Sequence, residues 1–216
     1  MDPKARYEKE RADGKQQRLS LILASAERVF VQKGIEKTTM QDIAKDANIG
    51  VATVFRYFPK KEKLIVAVAT GMLEPMLDGF QTIADMPLSC LDKLDRLFDF
   101  FISRLEDHHG GNTKFMEDFD SYAAHSLEPL EDMADFNALN RKISREYARI
   151  IQDGMQDGSL RSDLPVNEIL TTLVNTFGLF ARKLSLQKNI LLLESDLEPE
   201  RQLAILKKIL LDYVKA

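Results

Sequence analysis

The short segment from Gly50 to Phe58 collects the side chains best suited to reading another molecule by hydrogen bonds. Gly50, Val51 and Ala52 are small and permit close approach. Thr53 offers a hydroxyl and a methyl, Arg56 a fork of donors, and Tyr57 a phenolic hydroxyl. A guanidinium pairs in bidentate fashion with guanine or neutralises a phosphate. A threonine hydrogen-bonds a base or a phosphate and touches a thymine methyl. Thr39 and Lys61 flank the segment, each at the expected start of a helix, where backbone amides and positive charge face phosphate.

Few other residues suggest chemistry. Cys90 is the only cysteine, so neither an internal disulfide nor a cysteine-based zinc site is expected, and a reduced, cytoplasmic setting fits. Beside Leu91 and Leu94 it reads as a small core residue. His108-His109, before Gly110-Gly111, could ligate a metal from a loop. Asp118 and His125, seven apart on a helix beside Glu117 and Asp120, share a face that is either a polar ligand contact or solvated acid. There is no nucleophile elbow, glycine-rich phosphate loop or H-E-x-x-H, so we expect no catalysis, cofactor or metal.

The elements that must position the contact residues follow from periodicity. Leu19, Ile22, Leu23, Ala26, Val29 and Phe30 recur at steps of three and four, and Gly34 sits where a helix ends in left-handed backbone. Thr39 with Asp42 resembles a capping box opening a short helix whose apolar stripe is Met40, Ile43, Ala44 and Ala47. Asn48 suits a tight turn. A second short helix from Val51 buries Val54 and Phe58 and stops before Pro59. Phe55 and Tyr57 fit either core or contact. The layout is a helix-turn-helix, with an ordinary helical hairpin as the bland alternative.

A long helix from about Lys61 carries Pro75, expected to kink or divide it. Further helical stripes follow: Leu91 to Leu105, ended near Gly110-Gly111; Phe115 to Tyr122; Leu139 to Met155; Val166 to Leu184; and Leu203 to Tyr213, begun near Pro199. Ile190–Leu193 is too short and isolated to pair as a strand. The fold class expected is all-α with about nine helices. The 10 glycines and 7 prolines in 216 residues agree with long helices.

Charge divides unevenly. Residues 1–64 carry 14 Lys and Arg against 9 Asp and Glu, while the rest carries 16 against 25. A basic end on an acidic body suits a polyanion at that end and suits a solvated tail equally well. The charged N-terminus lacks the apolar core of a secretory signal, and no run of about 18 apolar residues exists to span a membrane.

The run from Thr38 to Leu64 resembles the DNA-binding domain of the tetracycline-repressor (TetR) family, matching its pattern at Thr39, Ile43, Ala44, Ala47, Thr53, Tyr57, Phe58, Lys61, Glu62 and Leu64. Ala26, Phe30 and Gly34 sit where that family places them. The motif covers about 45 residues; beyond it only helix number and length match. The sequence departs at Asn48 (commonly Gly), Gly50 (usually a Ser cap), Phe55 (frequently Tyr) and Lys60 (usually Ser).

The resemblance implies a DNA-binding transcriptional regulator, by default a repressor, contacting double-stranded DNA through Thr39, Gly50, Val51, Ala52, Thr53, Arg56, Tyr57 and Lys61. It implies a homodimer built as a four-helix bundle from the last two helices, reading a palindromic operator, and a cavity for a small apolar or amphipathic effector. Candidate lining residues are Met72, Met76, Phe98, Phe101, Phe115, Phe119, Tyr122 and Phe177, each also readable as plain core. The alternative is a regulator controlled by a protein partner or lacking a ligand. The domains expected are a flexible arm at 1–17, a helix-turn-helix domain at 18–64 and a helical regulatory and dimerisation domain at 65–216.

Overall fold

The computed structural model describes residues 3–106, 110–154, 156–187 and 198–216. Over these it is all-α, with helices α1 (Pro3–Lys33), α2 (Met40–Asp46), α3 (Val51–Tyr57), α4 (Lys61–Ala84), α5 (Cys90–Glu106), α6 (Gly110–His125), α7 (Met133–Gly154), α8 (Val166–Gln187) and α9 (Pro199–Val214). The only extended pairing among them is an isolated antiparallel bridge between Leu160 and Lys215. His108, His109, Met155 and Ile190–Leu193 lie outside the described residues.

Local chemistry explains where the helices stop. Gly34 takes φ +82° after α1, and its amide donates to the Phe30 carbonyl at 2.8 Å. Only a residue without Cβ enters that region at no cost. Asn48 takes φ +52° in the α2–α3 turn, as asparagine tolerates. Pro75 lies inside α4 without ending it.

Two boundaries differ from the periodicity reading. Helix α1 starts at Pro3 rather than near Leu19. Residues 4–13 are exposed, so no apolar stripe announces them. They are instead rich in helix-forming Lys, Arg, Glu and Ala, with an Arg6–Glu10 pair one turn apart at 3.0 Å. Gly110-Gly111 opens α6, and α5 has already ended at Glu106.

The chain forms two compact units. The first comprises Met1–Met72 and Phe115–Phe136. It takes in most of α6, which the sequence reading grouped with the regulatory region. Its core gathers Ile22, Ala26 and Phe30 of α1, Ile43 of α2, Val54 of α3, Leu64 and Ile65 of α4, and Phe115 and Phe119 of α6. Phe30 and Phe115 meet with ring centroids 5.7 Å apart. The second unit comprises Leu73–Lys114 and Asn137–Ala216. Its core is built on Leu94, Leu97 and Phe98 of α5, Ile150 of α7, Phe177 of α8 and Leu203 of α9. Phe98 and Phe177 lie with centroids 4.5 Å apart. Cys90 is fully buried here, and burial pushes its thiol up to about 12, which keeps it protonated.

Candidate nucleic-acid interface

Helix α2 is opened by a complete capping box. The Asp42 amide donates to Thr39 Oγ1 at 3.2 Å, and the Thr39 amide donates to Asp42 Oδ2 at 3.0 Å. The Thr39 hydroxyl donates to Asp42 Oδ2 as well, at 2.8 Å, and Lys33 Nζ reaches Asp42 Oδ1 at 2.5 Å. These donors hold the Asp42 carboxyl well below the usual carboxylate range, Lys33 foremost. At the far end of α2, Arg28 of α1 donates to Asp46 at 2.6 Å. Both ends of α2 are thereby tied to α1.

The turn closes through the Asn48 amide on the Lys45 carbonyl at 3.2 Å and the Ile49 amide on the Ala44 carbonyl at 3.0 Å. Ala44, 4% exposed, leaves room for α3 to cross α2 closely. Gly50 caps α3 with extended backbone and contributes no side-chain bond. Val54 and Phe58 face inward, at 0% and 8% exposure. Ala52, Phe55 and Arg56 are exposed; Val51, Thr53 and Tyr57 are half-buried.

The eight expected contact residues thus share the first unit, but not all present free polar groups. Arg56 lies over the Tyr57 ring, 5.8 Å from its centroid. The Tyr57 hydroxyl donates to the Lys15 carbonyl at 3.4 Å, reaching back to the exposed part of α1. Lys61 Nζ donates to the Glu36 carbonyl at 3.1 Å, and desolvation lowers its pKa. Thr39 spends its hydroxyl in the cap.

Of the two readings open for Phe55, core or contact, the structure takes the exposed one: Phe55, 43% exposed, projects from the open face of α3. Its place one residue after Val54 was the available signal, because a seven-residue helix buries a single stripe. Beside α4, Lys60 pairs with Glu131, and Lys63 pairs with Asp132 at 2.8 Å and Glu131 at 3.4 Å. The Glu131 amide donates to Glu62 Oε1 at 2.7 Å. Partners about seventy residues apart leave no local sequence signal.

The expected effector residues fall into two groups. Phe115, Phe119, Tyr122 and Met72 belong to or pack on the first core; Phe98, Phe177, Met76 and Phe101 on the second. Phe98, Phe115 and Phe177 are 0% exposed and Phe119 2%, so they are packed ring on ring. Of the eight, Tyr122 borders open space. In the first unit a pocket of about 630 Å³ is lined by Lys33–Lys37 and by Asp118, Ser121, Tyr122, His125 and Ser126. His125 Nδ1 lies 2.7 Å from the Ser121 carbonyl, and no group of three metal-ligating residues occurs among the described residues. In the second unit a cavity of about 590 Å³ opens between α4, α7 and α8, and none of the eight lines it. No described helix is long and apolar enough to cross a membrane.

Residues 22–68 match the family model for bacterial regulatory proteins of the tetR family. The chain is 28% identical over 146 residues to the HTH-type transcriptional repressor KstR2 of Mycolicibacterium smegmatis, covering 68% of this chain and 69% of that protein. The structure of the ketosteroid transcriptional regulator KstR2 of Mycobacterium tuberculosis superposes with TM-score 0.63 at 20% identity, over 93% of this chain and 95% of that one. That of FadR from Bacillus subtilis, in complex with stearoyl-CoA, gives 0.67 at 15% identity, over 89% and 97%.

Proposed function

We propose, from the premise that this chain belongs to the tetR family of bacterial regulatory proteins, that it is a homodimeric repressor released from a palindromic operator by a small molecule. The observation that carries the DNA-binding part is α3: a helix that buries Val54, with buried Phe58 as its C-cap, and shows an open face of Ala52, Phe55 and Arg56 flanked by Val51, Thr53 and Tyr57. Thr53 and Arg56 read base edges, and Gly50, Val51 and Ala52 allow close approach. Lys61 anchors phosphate, joined by the hydroxyls of Thr39 and Tyr57 once they turn from Asp42 and from the Lys15 carbonyl.

Dimerisation is supported by apolar side chains left in water on the last two helices. Leu179 of α8 is 65% exposed, and Ile205, Ile209 and Tyr213 of α9 are 50%, 58% and 50% exposed. A partner that covers them places two recognition helices one DNA turn apart, about 34–36 Å.

Effector control is supported by relatives whose names specify a ketosteroid, largely apolar, and stearoyl-CoA, an apolar acyl chain on a charged headgroup. Met72, Met76, Phe98, Phe101, Phe115, Phe119, Tyr122 and Phe177 enter this reading as residues an effector reaches by repacking a core. The second reading, a regulator with no ligand, rests on the complete burial of Phe98, Phe115 and Phe177.

Selection of bound sequences from random DNA by the full chain tests the proposal. The expected product is an inverted repeat with half-sites one helical turn apart. A random pool after several rounds, or a single unrepeated half-site, would overturn it.

A further inference from the structure

The cavity of the second unit has a regular construction. Its floor is apolar: Phe80 of α4, Ile143, Tyr147 and Ile151 one turn apart on α7, and Val174 of α8. Its rim is polar and neutral. Ser144 and Gln152 stand on α7 with Ala148 between them, and Asn167, Thr171 and Asn175 stand one turn apart on α8. No Asp, Glu, Lys, Arg or His is among the described lining residues.

The polar groups differ in what they have left to give. The Thr171 hydroxyl donates to the Asn167 carbonyl at 2.7 Å, and the Ser144 hydroxyl to the Asn140 carbonyl at 3.0 Å. Their protons are spent on their own helices, and they retain lone pairs. Gln152, Asn167 and Asn175 make no side-chain hydrogen bond among the described residues, so three carboxamides offer both donors and acceptors. Tyr147 is 9% exposed, and its hydroxyl is buried without a partner among the described residues. Burial raises its pKa above the ordinary tyrosine range, so this wall too stays uncharged.

We infer that this cavity is the effector site and that its ligand is an uncharged molecule with an apolar body and carbonyl or hydroxyl groups at its edge. The inference rests on the effector-controlled reading above and assigns the ligand's chemical class. An apolar floor takes the body, and the carboxamides orient the polar edge, as in other sites of a few hundred Å³. A carboxylate or phosphate seated against that floor would leave water and meet no counter-charge from the described lining residues. A free fatty acid or an acyl-CoA headgroup is therefore selected against, whatever the likeness in fold to a stearoyl-CoA complex.

Two dyes test this on the full chain without DNA: Nile red, neutral and carbonyl-bearing, and anilinonaphthalene sulfonate, an anion of similar apolar bulk. The expected result is one Nile red per chain, bound about tenfold or more tighter than the anion, a difference of about 1.4 kcal/mol. Ala148→Trp fills the cavity from an exposed helix position and should weaken Nile red about tenfold with helical content unchanged. Asn175→Lys should raise affinity for the anion. Equal or tighter binding of the anion by the natural chain would overturn the inference, as would Nile red binding that survives Ala148→Trp. Because no DNA is present, a failed dye titration leaves the DNA-binding reading standing. A chain that sorts the dyes but selects no operator has lost that reading alone.

Discussion

Lys61 Nζ and the Glu36 carbonyl oxygen stand 3.1 Å apart, so the first residue of α4 is fastened to the turn that leads into α2. The ammonium expected to meet phosphate is thereby preplaced and half-desolvated. A cation held in position loses little side-chain entropy when DNA arrives. Lys61→Ala is expected to weaken binding to all DNA sequences alike and to reduce the slope of log affinity against log salt by about one. Lys61→Arg should keep the slope. Binding isotherms over a salt series decide the matter: an unchanged slope in Lys61→Ala would remove Lys61 from the phosphate contacts.

The capping box at α2 makes a stability prediction. Thr39→Ala removes the acceptor for the Asp42 amide and is expected to cost about 1 kcal/mol in urea unfolding. The Asp42 carboxyl is depressed by bonds from Lys33, the Thr39 hydroxyl and the Thr39 amide. A depressed carboxyl contributes stability that is full above its unfolded pKa, near 4, and disappears as pH falls through the folded value. The stability gap between the natural chain and Asp42→Asn should be widest at neutral pH and should close on acidification below about pH 4. A gap that stays constant to low pH would mean that the carboxylate is not what holds the cap.

Contacts within a few residues were readable before any coordinates. The Thr39–Asp42 cap, the left-handed Gly34 and Asn48, and the stop at Pro59 are all local devices, and the structure shows each in place or consistent with its helix ends. The start of α1 was not readable from periodicity, because a helix exposed on all sides has no apolar stripe to count. The aromatic stripes could not be assigned as cavity or core for a related reason. Phe98 and Phe177 repeat at helical spacing whether their rings meet each other or a ligand, and only the 4.5 Å between their centroids shows that they meet each other. Glu131 beside Lys60 is a product of tertiary folding, and nothing near either residue encodes it.

That pair yields a gain-of-function prediction. Glu131 pairs with Lys60 and Lys63 at the start of α4; it raises the pKa of Lys60, while Asp132 first and Glu131 second raise that of Lys63. Phosphate approaching Lys60 competes with the carboxylate. Glu131→Gln is expected to tighten DNA binding at low salt and to steepen the salt dependence, by about one unit of slope if Lys60 alone is released. The effect should fade at high salt, as exposed charge pairs are screened. Weaker binding by this variant would show that Glu131 serves to position Lys60 rather than to mask it.

Arg56 separates specificity from affinity. It is exposed on α3, and its guanidinium lies over the Tyr57 ring. If it reads a guanine edge, Arg56→Ala should cost about 1–3 kcal/mol on the operator and much less on unrelated DNA. Measuring both affinities at one salt concentration checks this. Equal losses on the two DNAs would reassign Arg56 to phosphate.

The last prediction concerns the buried cation of the second unit. The Lys93 side chain is 6% exposed, and its Nζ donates to the Ala84 carbonyl at 2.9 Å and to Asp153 Oδ2 at 2.5 Å. It joins the final turn of α4 to α5 and α7, two of the helices that also line the cavity being α4 and α7. The partners are unequal. Asp153 is 47% exposed and regains water if Lys93 is lost, whereas the Ala84 carbonyl loses a charged donor in a buried setting. Lys93→Met keeps the apolar stem and is expected to destabilise by about 1–3 kcal/mol, the cost of an unsatisfied buried acceptor. Asp153→Asn should cost less, since the asparagine Oδ1 still accepts from Lys93 and the side chain is half-exposed. Urea unfolding of both variants orders them. An Asp153→Asn loss equal to that of Lys93→Met would place the stabilisation in the ion pair instead of the carbonyl.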